Sequence, residues 1–185
     1  PRLFLSKEEL LTGRQVVNEV KNKLSKEKVI VIQPFGRGIK YIDQSFVDAS
    51  GRSFDFADFK KIIRRLQEEN FAIICMSEMQ FDFSKDKFKN DVAMPENIPL
   101  RIWTSIIKFA DHFLGCDSVG QHLAQTVSTE STVIIGATYP VNVSYPDNTN
   151  FEIIDLGMHD RIYDPIRIIG DELTSRHNEN IMSMN

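Results

Sequence analysis

Only two cysteines occur among the 185 residues, Cys75 and Cys116, and neither has the short paired spacing of a zinc knuckle or a redox motif. Both lie in or beside apolar stretches, which predicts buried free thiols in a reducing compartment. No apolar run approaches the roughly 18 residues of a membrane helix, and no charged-then-apolar leader opens the chain. The expectation is therefore a cytoplasmic protein. Pro1 stands where an initiator methionine would, which fits either processing or a piece of something longer.

Basic residues are not in excess either. The 22 Lys and Arg against 26 Asp and Glu give a formal charge of -4, so nothing draws the chain to nucleic acid in general. A polyanionic ligand would need a local site. His112, His159 and His177 are scattered without metal-ligand spacing, and no Asp-x-Asp pair is present, so no metal is expected. Also missing are the Gly-x-Gly-x-x-Gly opening, the Walker lysine and the serine elbow, which counts against an NAD-dependent oxidoreductase, a P-loop enzyme and a serine hydrolase.

What remains is the composition of one well-filled domain, with 42% hydrophobic residues. Ser6 and Glu9 form a capping box ahead of Leu10, Leu11, Val16, Val17, Val20 and Leu24, which predicts a helix despite Gly13. Val29-Ile30-Val31-Ile32 reads as a buried strand ending before Pro34, and a loop is expected from Pro34 to Tyr41. Asp55 can cap a helix carrying Phe59, Ile62, Ile63 and Leu66, and a second buried strand is expected over 71–76. Its cations Lys60, Lys61, Arg64 and Arg65 form a solvated face beside Glu68 and Glu69.

Residues 82–99 show no sustained period and are expected to be a mobile loop. Leu100, Ile102, Trp103, Ile106, Ile107, Ala110 and Phe113 recur at helical spacing, which predicts one helix running to Gly115. A short helix over 119–127, strands over 132–135 and 151–156, a last helix over about 166–176 and a frayed tail over about 177–185 complete the prediction. Strands alternating with helices imply an α/β fold, a three-layer Rossmann-like parallel sheet with helices on both faces. The whole of 1–185 is expected to form this single domain.

In such sheets ligands bind beyond the carboxyl ends of the strands, so three loops matter. Gly36-Arg37-Gly38-Ile39-Lys40 offers backbone N–H groups and two cations to a diphosphate, or is a tight turn with solvated cations. Asp117 or Ser118 opens a helix whose amino end suits an anion, with His122 one turn further in; taken locally, ordinary capping and a structural histidine are the favoured reading. Thr138, in Gly136-Ala137-Thr138-Tyr139-Pro140, can donate to a phosphate oxygen or satisfy its own turn.

Taken in order, Pro1-Arg2-Leu3-Phe4-Leu5-Ser6, Asp117-Ser118, His122-Leu123 and Gly136-Ala137-Thr138-Tyr139-Pro140 resemble the carboxyl-terminal domain of glycosyltransferase family nine, the heptosyltransferases. The resemblance covers nearly the whole chain. It departs at Val119, where glycine is usual and Gly120 follows one place later, at 128–131, which replaces a glycine-containing turn, and at Ala137, where proline is frequent.

The resemblance implies the second half of a GT-B enzyme, binding an ADP-heptose-like nucleotide-diphospho-sugar for inverting transfer to lipopolysaccharide or another glycan. It implies donor-site roles for Gly36, Lys40, Glu78, Asp117, Ser118, His122 and Thr138, with Glu78 near the ribose. The acceptor-activating base is expected in an amino-terminal domain absent from this chain, so no catalytic residue is assigned. No metal or other cofactor is expected, and a full-length protein would associate peripherally with the membrane. A non-catalytic nucleotide-binding or interaction module of the same fold is the alternative.

Overall fold

The computed structural model describes residues 2–36, 38–42, 45–48, 50–80 and 92–157. The elements in chain order are α1 (Lys7–Leu24), β1 (Lys28–Gln33), β2 (Ile39–Ile42), β3 (Ser45–Asp48), α2 (Phe56–Glu68), β4 (Phe71–Cys75), β5 (Val92–Ala93), α3 (Leu100–Phe109), β6 (His112–Cys116), α4 (Val119–Val127), β7 (Ser131–Ile135), α5 (Pro140–Val143) and β8 (Phe151–Asp155). Six strands form a sheet in the order β5-β4-β1-β6-β7-β8, and every neighbouring pair is parallel. The expected α/β architecture is the one observed.

Strand alternation builds the two cores. Val29 and Val31 of β1 face one side with Ala72, Ile74, Phe113, Val133 and Ile135, where α1, α3 and α4 bring Val17, Trp103, Ile106 and Ala124. Ile30 and Ile32 face the other side with Ile73, Leu114, Cys116 and Ile134, covered by Phe59 and Ile63 of α2 and by Ile39 and Phe46 of the β2–β3 hairpin. That makes three layers. Because both faces are covered, β4 and the Val29–Ile32 run of β1 are continuously apolar rather than alternating.

Three expectations are corrected. The helix predicted to run to Gly115 stops at Phe109, and His112–Cys116 is a central strand between β1 and β7. Phe113 fits helical spacing only by chance, because a short apolar run cannot declare its own period. The loop expected over 34–41 ends in β2, which pairs antiparallel with β3. Within the expected loop over 82–99, Val92 and Ala93 extend the sheet beside β4, and residues 81–91 lie outside the described residues. The last predicted helix and the tail also lie outside them, as do Arg37, His159 and His177. Among the described residues no helix is long and apolar enough to cross a membrane.

The amino end of α1 is held from two sides. The Ser6–Glu9 capping box is present, and Arg101 on α3 donates to both Glu9 oxygens and, at 2.7 Å, to the Phe4 carbonyl. Arg101 and the Ser6 N–H hold the Glu9 carboxyl at about 2, below its ordinary 4.5. Its folded-state value is depressed, so the stabilisation is present above pH 4.5 and is lost as pH falls towards 2. Melting temperatures of wild type and Glu9→Gln are expected to differ at pH 6 and to converge near pH 2. A gap that persists unchanged at pH 2 would reject this origin.

Candidate functional site

β1 is central, and the chain leaves it towards β4 and β5 on one side before returning to build β6, β7 and β8 on the other. That reversal opens a crevice at the carboxyl ends of β1, β4 and β6, the position where open α/β sheets bind ligands. A cavity of ≈ 630 Å³ lies there, lined by Gly36, Met76, Glu78, Ile98, Trp103 and Ser118 among others. The volume is in the range of small-molecule sites. Glu78 and Glu96 supply carboxylates, and no lysine or arginine lines it among the described residues.

The floor between β1 and α4 is made by Gln33. This residue follows the apolar run Val29–Ile32 at the end of β1 and is 6% exposed. Its Oε1 accepts from the Gly120 N–H at 2.7 Å, and its Nε2 donates to Ser118 Oγ at 3.2 Å. Gly120 has to be glycine, because an added Cβ would meet the Gln33 carboxamide and lie 2.6 Å from the Phe113 ring. The glycine at position 120 rather than 119 thus has a packing reason.

Behind this floor lies a charged cluster. Asp117 is buried, its Oδ1 accepting from Gln121 Nε2 at 3.1 Å and its Oδ2 from Thr138 Oγ1 at 2.9 Å. Arg52 stands 4.0 Å from the same Oδ2. Asp48 holds the segment that carries Arg52, accepting from the Ser50 N–H at 2.8 Å, from Ser50 Oγ at 2.6 Å and from Ser53 Oγ. Ser53 Oγ in turn accepts from the Gly36 N–H at 3.0 Å, so the loop after β1 and the Arg52 segment form one unit.

Burial raises the Cys116 thiol well above its ordinary range, Asp117 and Asp48 add to the shift, and Arg52 opposes it; these charges therefore converge beyond the end of β6. Cys75 is raised by burial alone. Both thiols are free and buried. Neither is expected to react with a thiol reagent at pH 8 until denaturant is added, and rapid labelling of the native protein would contradict the packing.

The anticipated site residues fall into three groups. Gly36, Glu78 and Ser118 line the cavity together. Asp117 and Thr138 are hydrogen-bonded to each other immediately beyond Ser118. Lys40 and His122 are outside the lining. Lys40 sits on β2 next to Ile39, whose side chain packs into the core, and alternation gives Lys40 the exposed face. His122 is exposed, with its Nδ1 2.8 Å from the Tyr145 hydroxyl and its ring edge-on to Tyr145. Gln33 and Arg52 were not anticipated. A polar residue ending a β-branched strand was the available signal for Gln33, whereas Arg52 has no local signal. Among the described residues no group of three His, Cys, Asp or Glu side chains could hold a metal ion.

A covered parallel sheet with a switch-point cavity is a Rossmann-like α/β fold, and solved glycosyltransferase structures share it. More narrowly, the fold is like that of a solved structure from glycosyltransferase family nine. A family nine glycosyl transferase from Veillonella parvula DSM 2008 superposes with a TM-score of 0.65 at 7% identity, over 98% of this chain and 48% of that one. ADP-heptose lps heptosyltransferase II of E. coli gives 0.58 at 12% identity, over 83% of this chain and 45% of that one. The E. coli heptosyltransferase WaaC, solved with ADP-2-deoxy-2-fluoro heptose, gives 0.51 at 12% identity, over 75% and 40%. The chain spans less than half the length of these structures. No family model and no curated protein matches the sequence itself.

Proposed function

We propose that this chain is the donor-binding domain of an inverting glycosyltransferase, taking a nucleotide-diphospho-sugar at the cavity beyond β1, β4 and β6. The observation that carries the reading is the division of that cavity: hydrogen-bond donors at Ser118 and the amino end of α4, carboxylates at Glu78 and Glu96. A nucleotide matches it with its phosphates toward Ser118 and its ribose hydroxyls toward Glu78. The apolar side chains of Met76, Ile98 and Trp103 would face the base. Arg52, which does not line the cavity, would have to turn from Asp117 toward it to meet the diphosphate, with Lys40 adding charge from the hairpin and His122 supporting the far side of α4.

In the transfer itself, an acceptor hydroxyl attacks the anomeric carbon while the bond to the diphosphate oxygen breaks. Negative charge grows on the departing nucleoside diphosphate, so Arg52 and the N–H groups near Ser118 would contribute most in the transition state. The acceptor, a lipopolysaccharide or other glycan, and the base that activates it would be handled by a second domain. An ADP-heptose-like donor and a cytoplasmic location complete the proposal, by likeness to the heptosyltransferases.

Calorimetric titration of ADP, GDP and UDP and their sugars tests it. One nucleoside diphosphate is expected to bind with a Kd between about 1 μM and 1 mM, near −8 to −4 kcal/mol. If none binds at millimolar concentration, the donor reading fails. A second reading, a non-catalytic nucleotide-binding module, is favoured by one observation: both Asp117 oxygens are already engaged within the fold. Binding of a nucleoside diphosphate without any effect of an attached sugar would select it.

A further inference from the structure

We propose that Gln33 is a positioning residue that makes the Ser118 hydroxyl a dedicated hydrogen-bond donor into the cavity, so that the site selects a ligand with an unprotonated oxygen there. This rests on the donor-site reading above, and it concerns a residue outside the set inferred from sequence.

Gly120 fixes the orientation of the Gln33 carboxamide. Its backbone N–H can only donate, so the end of the Gln33 carboxamide lying 2.7 Å away must be the oxygen. The amide orientation follows from that bond and leaves the Nε2 end facing Ser118. An NH₂ group can only donate. Ser118 Oγ must therefore accept at 3.2 Å, and its own proton has to turn elsewhere.

Ser118 opens α4, but its Oγ accepts no capping bond from the helix N–H groups, so its lone pair is free to accept from Gln33 Nε2. Ser118 lines the cavity, which is the direction left open to its proton. Gln33 is 6% exposed, and burying its carboxamide would be costly without these two partners. The missing side chain at 120 is what gives the carboxamide room. Three features, the buried amide, the glycine and the cavity, agree on one polarity.

The test uses ADP, GDP and UDP as probes, titrated into wild type, Gln33→Met, Ser118→Ala and the double variant, with the parent nucleosides alongside. For the diphosphate that wild type binds, each single variant is expected to lose about tenfold in affinity. The double variant should lose no more than Ser118→Ala alone, because Gln33 acts through that hydroxyl. Nucleosides, which bring no phosphate to this corner, should bind equally to all four proteins.

Gln33→Glu supplies a readout that a merely structural role would not move. Its carboxylate keeps the Gly120 bond but captures the Ser118 proton, so it should lose more than Gln33→Met at pH 7. The loss relative to wild type should shrink as pH falls through the carboxylate range. It also serves if Gln33→Met does not fold. Additive losses in the double variant, or an unchanged affinity in Gln33→Met, would overturn the inference and leave the donor reading intact. If no diphosphate binds wild type, the donor reading falls and this inference with it.

Discussion

Replacing Gly13 by alanine is expected to destabilise the protein by about 2 kcal/mol, although alanine is the better helix former. Exchanging glycine for alanine within α1 should on its own stabilise by about 1 kcal/mol. Packing opposes it. A Cβ at position 13 would collide with the Oγ and Cβ of Ser105 on α3 and lie 2.7 Å from the Ser105 carbonyl carbon. A side chain could turn aside, but backbone cannot, so α1 has to move off α3 and disturb Val17, Val20, Trp103 and Ile106 in the core they share. Overpacking of this kind costs about 1–3 kcal/mol, and a clash with backbone belongs at or beyond the upper end.

The net effect for a chain of this size is a fall in melting temperature of about 4–8 °C. In urea the midpoint should drop while the slope stays constant. Ser105→Gly in the same molecule should recover much of the loss despite its own helix penalty, giving a clearly favourable coupling. Purely additive losses would mean that the two helices do not meet at this pair.

The same glycine shows what was legible in the sequence. The capping box at Ser6 and Glu9, the apolar period after it and the Asp55 cap of α2 are signals contained within a few residues, and these elements form where they announce themselves. Gly13 was an anomaly in that pattern and finds its reason only in Ser105, far along the chain. β6 was hidden for a related reason. Its five residues follow α3 so closely that Phe113 continues the helical spacing, and only pairing with Val31 and Ser131 turns it into a strand. The two-residue β5 and the β2–β3 hairpin likewise exist through their partners rather than through their composition.

The site divides along the same line. Gly36, Glu78, Asp117, Ser118 and Thr138 each follow a strand that could be recognised or stand beside a recognisable cap, so their neighbourhood was readable. Gln33 is defined by partners 85 and 87 residues away, and nothing near it says that its amide will be buried under a helix. Lys40 was prominent because it follows a strand and a glycine pair. The hairpin that begins at Ile39 carries it to an exposed face, and the chain returns through Asp48 and Ser53 to bring Arg52 to Asp117 instead.

That exchange leads to the second large effect. Arg52→Ala is expected to weaken nucleoside diphosphate binding by about 10- to 100-fold, while Lys40→Ala changes it by less than about twofold. A charge-assisted hydrogen bond to phosphate contributes about 1.5–3 kcal/mol, and removing the guanidinium also leaves Asp117 uncompensated beside the ligand. Arg52→Lys should recover only part of the loss, since an ammonium cannot bridge two oxygens as the planar fork does.

Stability should hardly register the change. The Arg52 side chain is 32% exposed and 4.0 Å from Asp117, and the buried Asp117 carboxylate keeps its bonds from Gln121 and Thr138, so the loss in stability should be small beside the loss in binding. Binding of the parent nucleoside should be untouched, and raising salt should narrow the gap between Arg52→Ala and wild type. The opposite ranking, with Lys40→Ala the more damaging variant, would place the diphosphate against the hairpin. The Asp48–Ser53–Gly36 unit would then be reduced to supporting a loop.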